Sequence, residues 1–337
     1  MRILYQPARV AAAAAIAVAF AGCSGAQNAA SPSPPGSGFA ATVGSNASTG
    51  VRVAHSLLMA DRRVHSSRKY DAKKALIFVA NYSGNDVEVY DPKVNNPSPS
   101  ATITDGVDTP SGDCLDKKGT LYVVNENVNS IPEYKTGQTS PFQTITEGLD
   151  TPGFCAIDGK GNLWVTNLGS VNVTEYPKGS TSPSTIITDG ITFPIGLAFD
   201  RKGDMYVSNR SGGSGTNVQV YPPGGNSPTM TISNGITDPC GIAVDAKGTL
   251  YVTNLGSDTV TEYLAGQSSP YQTITSGLDY PAGASVDKKG ELFVSNYLGN
   301  SIAEYAPGST TPSANSITQD LDSPEGTAYS PPILPKK

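Results

Sequence analysis

The chain has 337 residues, with 36 Gly and 26 Pro but only 15% charged residues, a balance that argues against a helical protein and suits strands and turns. The formal charge of −6 is unevenly spread: residues 1–74 carry nine Lys and Arg against two acids, and residues 75–330 carry twelve against 27, a net of −15. A domain that acidic excludes nucleic acid, or an anionic membrane surface, as a partner held by charge alone.

At the N-terminus, Arg2 and Arg9 precede an apolar run of 13 residues, Val10 to Gly22. That run is too short for a bilayer span, which needs about 20 residues, and residues 1–22 are expected to be a signal peptide. The run ends Ala19-Phe20-Ala21-Gly22-Cys23, which resembles a bacterial lipoprotein box. The resemblance implies a diacylated Cys23 as the mature N-terminus, enough for stable anchoring. Residues 23–75 read as a flexible spacer, with Ser31-Pro32-Ser33-Pro34-Pro35 at the centre of its Ser/Ala/Gly/Pro/Asn-rich part. Its basic second half has room for one short helix around Leu57-Leu58-Met59 and holds both histidines of the chain, His55 and His65.

From residue 76 the chain repeats itself. A pentad of aliphatic, aromatic, Val, small residue and Asn ends at Asn81, Asn125, Asn167, Asn209, Asn254 and Asn296, at spacings of 44, 42, 42, 45 and 42 residues. A period near 42 built from strand formers is the mark of propeller blades. Before the pentad comes a strand that starts Pro-x-Gly and ends in Asp, such as Pro194-Ile195-Gly196-Leu197-Ala198-Phe199-Asp200, followed by a Lys-Gly turn. After the pentad comes a strand ending in Tyr (Tyr90, Tyr134, Tyr176, Tyr221, Tyr263, Tyr305), then a Gly/Ser/Pro loop and a short strand ending near Ile103, Ile145, Ile187, Ile232, Ile274 and Ile317. The first pentad lacks a Pro-x-Gly strand before it, and one stands after the sixth, Pro324 to Ser330. The expected fold is therefore all-β: a six-bladed β-propeller of four-stranded blades over residues 76–330, closed by the C-terminal strand completing the first blade, which removes two open edges. Residues 331–337 are a tail.

The Pro-x-Gly-x-Ala-x-Asp strand followed by Leu-Tyr-Val resembles the NHL repeat, and Tyr251-Val252-Thr253-Asn254 resembles the YVTN repeat. The resemblance covers about three quarters of the chain and implies architecture, since such propellers include adhesion, scaffold and enzyme members. The chain is also similar in fold to the senescence-marker/gluconolactonase family. That resemblance implies a cation in the central channel, held by polar residues at the x of Pro-x-Gly. The matching channel-lining candidates here are Ser111, Gly153, Ile195, Cys240, Ala282 and Glu325, of which only Glu325 is a strong oxygen ligand. Ca²⁺ takes six to eight oxygens, so neither metal nor cofactor is expected. Lyases of similar fold use His, and the propeller segment contains none. No nucleophile elbow, phosphate loop or His/Cys metal spacing is present, and no catalytic residue is assigned.

The pentad Asn residues are expected to bond the turn that follows their strand, and the Asp residues that end the inner strands (Asp116, Asp158, Asp200, Asp245, Asp287) to do the same. Asp108, Asp150, Asp279 and Asp322 should lie in loops on one face as solvated charges. The loop from Asn209 to Asn217, around Ser211-Gly212-Gly213-Ser214-Gly215, is a candidate rim site. Three cysteines remain after Cys23. Cys114 and Cys155 fall on inner strands of neighbouring blades, and alternation turns both into the gap between those blades or both away from it. Inner strands converge near the axis, where a Cα separation under about 7 Å becomes feasible, so a Cys114–Cys155 disulfide is expected, with Cys240 free. The expected function is a lipid-anchored, exported, non-catalytic recognition or scaffold module, monomeric, for a protein or glycan partner in the cell envelope; the alternatives are a gluconolactonase-like metal-dependent hydrolase and a purely structural envelope protein. For the anchor, Cys23→Ala should move the protein from the membrane to the soluble fraction, as fractionation with detergent-free washing will show.

Overall fold

Each pentad becomes a strand because its aliphatic and aromatic residues suit a sheet buried on both faces. In the computed structural model, which describes residues 69–71, 73–210 and 216–332, all six pentad strands are buried along their whole length. Each is the second strand of an antiparallel blade. The inner strand precedes it, the strand ending in Tyr follows, and a three-residue strand lies outermost in five blades. In the sixth blade the outermost strand shrinks to one bridge, Ile302 with Ile317. The Tyr-to-Ile segment there is one residue longer than in blades two to five, and Ser313-Ala314-Asn315-Ser316 is turn-forming.

The ring closes through its C-terminus. Pro324–Ser330 pairs antiparallel with Leu76–Asn81, with Thr327 opposite Val79, and the first sheet runs inner to outer from that strand through Leu76–Asn81 and Asp86–Tyr90 to Ala101–Ile103. Blade 1 thus draws strands from both ends of the propeller, and blades 2 to 6 follow in chain order. The segment expected to be a signal peptide, Cys23, both histidines and residues 211–215 of the candidate rim loop lie outside the described residues. Tyr70 departs from the expected spacer: its ring is buried edge-on to Phe78, with centroids 5.2 Å apart, in the blade 1 core. An apolar cluster between blades 1 and 2 is left uncovered by the repeat itself, and an aromatic from upstream covers it.

Three sets of side chains tie blade to blade. The tyrosine ending each third strand is fully buried and donates its hydroxyl to a carbonyl in the loop leaving the previous blade. Tyr134 reaches Asp105 at 2.6 Å, Tyr176 reaches Glu147 at 2.7 Å and Tyr305 reaches Ser276 at 2.7 Å. Tyr90 closes the ring by the same bond to Gln319, at 2.6 Å. Burial raises the phenol of Tyr305 to about 12, so these hydroxyls stay protonated donors.

The pentad Asn residues form the second set, and they do more than the sequence led one to expect. Their side chains span the turn after their strand, as Asn125 does in donating to Ser130 Oγ at 3.0 Å, and they also bond the loop that enters their own blade. Asn125 accepts from the Asp108 N–H at 3.0 Å and donates to Gly106 O at 2.8 Å, and Asn209 does the same with Thr192 and Gly190. The last residue of that loop is left-handed in five of the six blades, as at Thr109 (φ 47°). The inner-strand Asp residues do cap the following turn: Asp200 accepts from the amides of Lys202, Gly203 and Asp204 at 2.8, 2.9 and 3.0 Å. In the third set, the pentad hydroxyl donates to the x carbonyl of the next blade's Pro-x-Gly: Thr166 to Ile195 at 2.7 Å, Ser208 to Cys240 at 2.6 Å, Thr253 to Ala282 at 2.6 Å and Ser295 to Glu325 at 2.7 Å.

Removing one tyrosine hydroxyl strands a buried carbonyl, so Tyr305→Phe should cost about 1–2 kcal/mol and lower Tm by at least about 2 °C in a melting experiment.

Candidate functional site

The inner strands meet at the axis, and the glycine of Pro-x-Gly lets them approach. A Cβ on Gly241 would sit 2.5 Å from Ala282 O, and one on Gly196 would collide with Cys240 O. Blade 3 breaks the pattern with Pro152-Gly153-Phe154. There the small residue takes the x position and Phe154 occupies the level that glycine holds elsewhere.

The six channel-lining candidates all lie at this narrow end of the ring. Ser111, Ile195, Cys240, Ala282 and Glu325 are fully buried, and Gly153 is buried with them. They do not line the open channel. Ile195, Cys240 and Ala282 pack with Phe154, Leu168 and Leu255 into an apolar plug. Ser111 supplies the inter-blade bond that Val124, which lacks a hydroxyl, cannot make: its Oγ donates to Gly153 O at 2.7 Å. The physical reason is convergence. With glycine next in line, neighbouring strands come so close that the x side chains fill the space between them.

The open channel begins one step further along each inner strand. Its first level is Asp113, Cys155, Leu197, Ile242, Ala284 and Thr327, each opposite the central Val of its pentad. The next level is Cys114, Ala156, Ala198, Ala243, Ser285 and Ala328. Together these levels bound a cavity of about 140 Å³. Cys114 and Cys155, one level apart on neighbouring strands, form a disulfide with Cα atoms 5.8 Å apart. Cys240 is not the free thiol expected from the sequence: among the described residues no cysteine is free.

Over the plugged end lies a second feature. The residue after the pentad Asn differs in every blade except for two pairs: Tyr82, Glu126, Leu168, Arg210, Leu255 and Tyr297. The residue before the inner-strand Pro varies as well, with Phe193 in blade 4 and Tyr280 in blade 6. These two loops meet on one face. Tyr82 and Tyr297 have ring centroids 6.4 Å apart, and Tyr297 and Tyr280 6.0 Å. Phe193, Tyr280 and Tyr297 are half-buried against the plug. Arg210 sits beside them and grips Asp238 with two bonds, Nε to Oδ1 at 2.8 Å and Nη2 to Oδ2 at 3.1 Å. Burial works against its charge, but Asp238 and Tyr280 more than offset this, so the guanidinium is held more firmly protonated than usual. Of these residues only Arg210 falls in a segment singled out from the sequence, the loop from Asn209 to Asn217. The signal was available: they are variable positions flanking a strict repeat, and a surface that departs from its repeat is not explained by folding alone.

Asp108, Asp150, Asp279 and Asp322 lie in the loops entering four of the blades, each held by its backbone N–H to a pentad Asn. Among the described residues no group of three or more His, Cys, Asp or Glu is placed to hold a metal ion.

No family model matches the chain, and no curated protein matches it. Solved structures do. A chain from a nidogen/laminin complex superposes with a TM-score of 0.65 at 16% identity, over 76% of this chain and 98% of that one. A Bacteroides caccae protein of unknown function gives 0.61 at 11%, over 76% and 98%. A Bacteroides fragilis NCTC 9343 chain assigned as a 6-phosphogluconolactonase gives 0.58 at 16%, over 77% and 99%. At these identities the likeness establishes a β-propeller.

The disulfide crosses from blade 2 to blade 3 and closes a loop with a sequence separation of 41 residues, for which about 2–4 kcal/mol of stabilisation is typical. Peptide mapping of the unreduced protein should recover Cys114 joined to Cys155, and the Cys114→Ser/Cys155→Ser pair should melt several degrees lower.

Proposed function

We propose that the propeller is an exported, lipid-anchored recognition module whose protein or glycan partner docks on the face over the plugged end of the ring. One observation carries this reading: the aromatic arc of Tyr82, Tyr297 and Tyr280, with Phe193 and Arg210 beside it, is the place where the blades stop repeating and half-exposed rings gather. Tyr and Arg are the residue types that dominate binding hot spots, because each combines a large contact area with a polar tip. Repeat propellers expose their variable loops on such a face. A chain of the same fold occurs in the nidogen/laminin complex, which fits a role in assembly.

The hydrolase reading draws on the 6-phosphogluconolactonase-type neighbour. It needs a cation or an acid–base pair in the channel, and the x positions that would supply them are buried in the plug. Elemental analysis with a thermal shift on adding Ca²⁺, Mg²⁺ or Zn²⁺ separates the two readings: a stoichiometric, tightly held metal would favour the hydrolase.

The test of the recognition reading is affinity capture from the native envelope, run in parallel with a glycan array. A partner retained by the wild type should be lost, by a factor of ten or more at the roughly 2 kcal/mol expected of a hot spot, in Tyr280→Ala/Tyr297→Ala. The same partner bound equally by both proteins would place the interface elsewhere.

A further inference from the structure

The channel wall has two unlike sides. Blades 3, 4 and 5 present Ala156, Leu197, Ala198, Ile242 and Ala243 to it. Blades 2, 1 and 6, which are consecutive around the ring, present Asp113, Thr327 and Ser285. These three side chains are more than nine-tenths buried, at 5%, 7% and 8% exposure. Both oxygens of Asp113, Thr327 Oγ1 and Ser285 Oγ have no hydrogen-bond partner among the described residues. Buried polar groups are almost always paired, and each exception calls for an explanation. Here four unpaired oxygens edge the same cavity, which makes a ligand the economical one.

The lining specifies the ligand. No Lys, Arg or His borders the cavity, so an anion would meet Asp113 without a countercharge. A hard metal ion would need several more oxygens than one carboxylate and two hydroxyls supply. A primary ammonium has one positive charge and three N–H donors, and the three side chains supply a carboxylate and two hydroxyl acceptors. Its hydrocarbon part would lie against the alanine and leucine side. The size agrees: a cavity of about 150 Å³ takes benzene, so about 140 Å³ suits a ligand of roughly six non-hydrogen atoms. The acidic domain, net −15 over residues 75–330, adds an attractive field for cations.

Local structure keeps the carboxyl in place. Gly326 on the neighbouring strand leaves room for it: a Cβ there would stand 2.9 Å from Asp113 Oδ1. With nothing bound, burial raises the Asp113 carboxyl well above the usual carboxylate range, which is the state of an acid lacking its counter-ion. We propose that the central channel binds a small primary alkylamine as its ammonium ion, with Asp113 as counter-ion and Thr327 and Ser285 as the further acceptors. This site is separate from the aromatic face, and its test does not depend on finding the partner of that face.

Calorimetric titration of the purified mature chain with n-butylamine, butan-1-ol and butyrate provides the test. The amine should saturate one site per chain, the alcohol should bind at least about tenfold more weakly, and butyrate should not bind. Asp113→Asn should weaken the amine on the order of 30-fold, as loss of one partner from a buried charge pair does. Because that change removes an unpaired buried acid, its melting temperature should not fall. Ser285→Ala/Thr327→Val gives a second measurement, with weaker amine binding expected and alcohol binding little changed. Equal affinity for amine and alcohol, amine affinity unaltered in both variants, or no saturable binding of the amine would each overturn the proposal.

Discussion

The bond that the architecture depends on is the one from each third-strand tyrosine to the loop leaving the previous blade. A blade is a small sheet with two apolar faces and cannot stand alone, so a propeller is stable only as a ring of contacts between neighbours. Apolar packing between blades is strong but non-directional. The buried phenol supplies direction: Tyr90 to Gln319, Tyr134 to Asp105 and Tyr305 to Ser276 hold one blade to another at a set height. The pentad Asn does the same from the other side of the loop, and the pentad hydroxyl does it again near the axis. Closure then follows from the C-terminal strand, because the pairing of Thr327 with Val79 leaves blade 1 without a free inner edge.

This bonding scheme uses nearly every residue that recurs. The repeated Asn, Asp and Tyr, which a ligand search would pick out first, are engaged in holding loops. Chemistry is left to the positions that do not recur. On the face over the plug these are Tyr82, Phe193, Arg210, Tyr280 and Tyr297, whose side chains meet although their sequence positions span more than 200 residues. In the channel they are Asp113, Ser285 and Thr327, which stand where other blades carry apolar residues or alanine. Phe154 and the Cys114–Cys155 disulfide mark the same departure in blade 3. A repeat fold thus separates stability from specificity along its own sequence.

The two regions also differ in physical character. The aromatic face gathers half-buried rings around a guanidinium paired with Asp238. The channel is narrow, apolar on one side and polar on the other, and carries one buried acid, a setting for something small. The plug of Ile195, Cys240, Ala282, Phe154, Leu168 and Leu255 lies between them, so the two can be altered independently.

By itself the sequence determined the repeat and therefore the fold: a 42-residue period of strand formers, punctuated by Pro-x-Gly, Lys-Gly turns and Tyr, permits little but a propeller, and the missing first inner strand announced how it closes. The capping role of Asp200 and its equivalents was legible too, because an Asp two to four residues before free amides acts locally. What only the tertiary structure decided were relations across blades. The loop that the pentad Asn grips lies 17 residues earlier in the chain, and no local rule points to it. The x residues of Pro-x-Gly became a plug because strand convergence at the axis depends on all six blades at once. Asp113, at a position that reads as an ordinary inner-strand residue, became a buried acid facing a cavity only when Gly326, from the other end of the propeller, came to lie beside it.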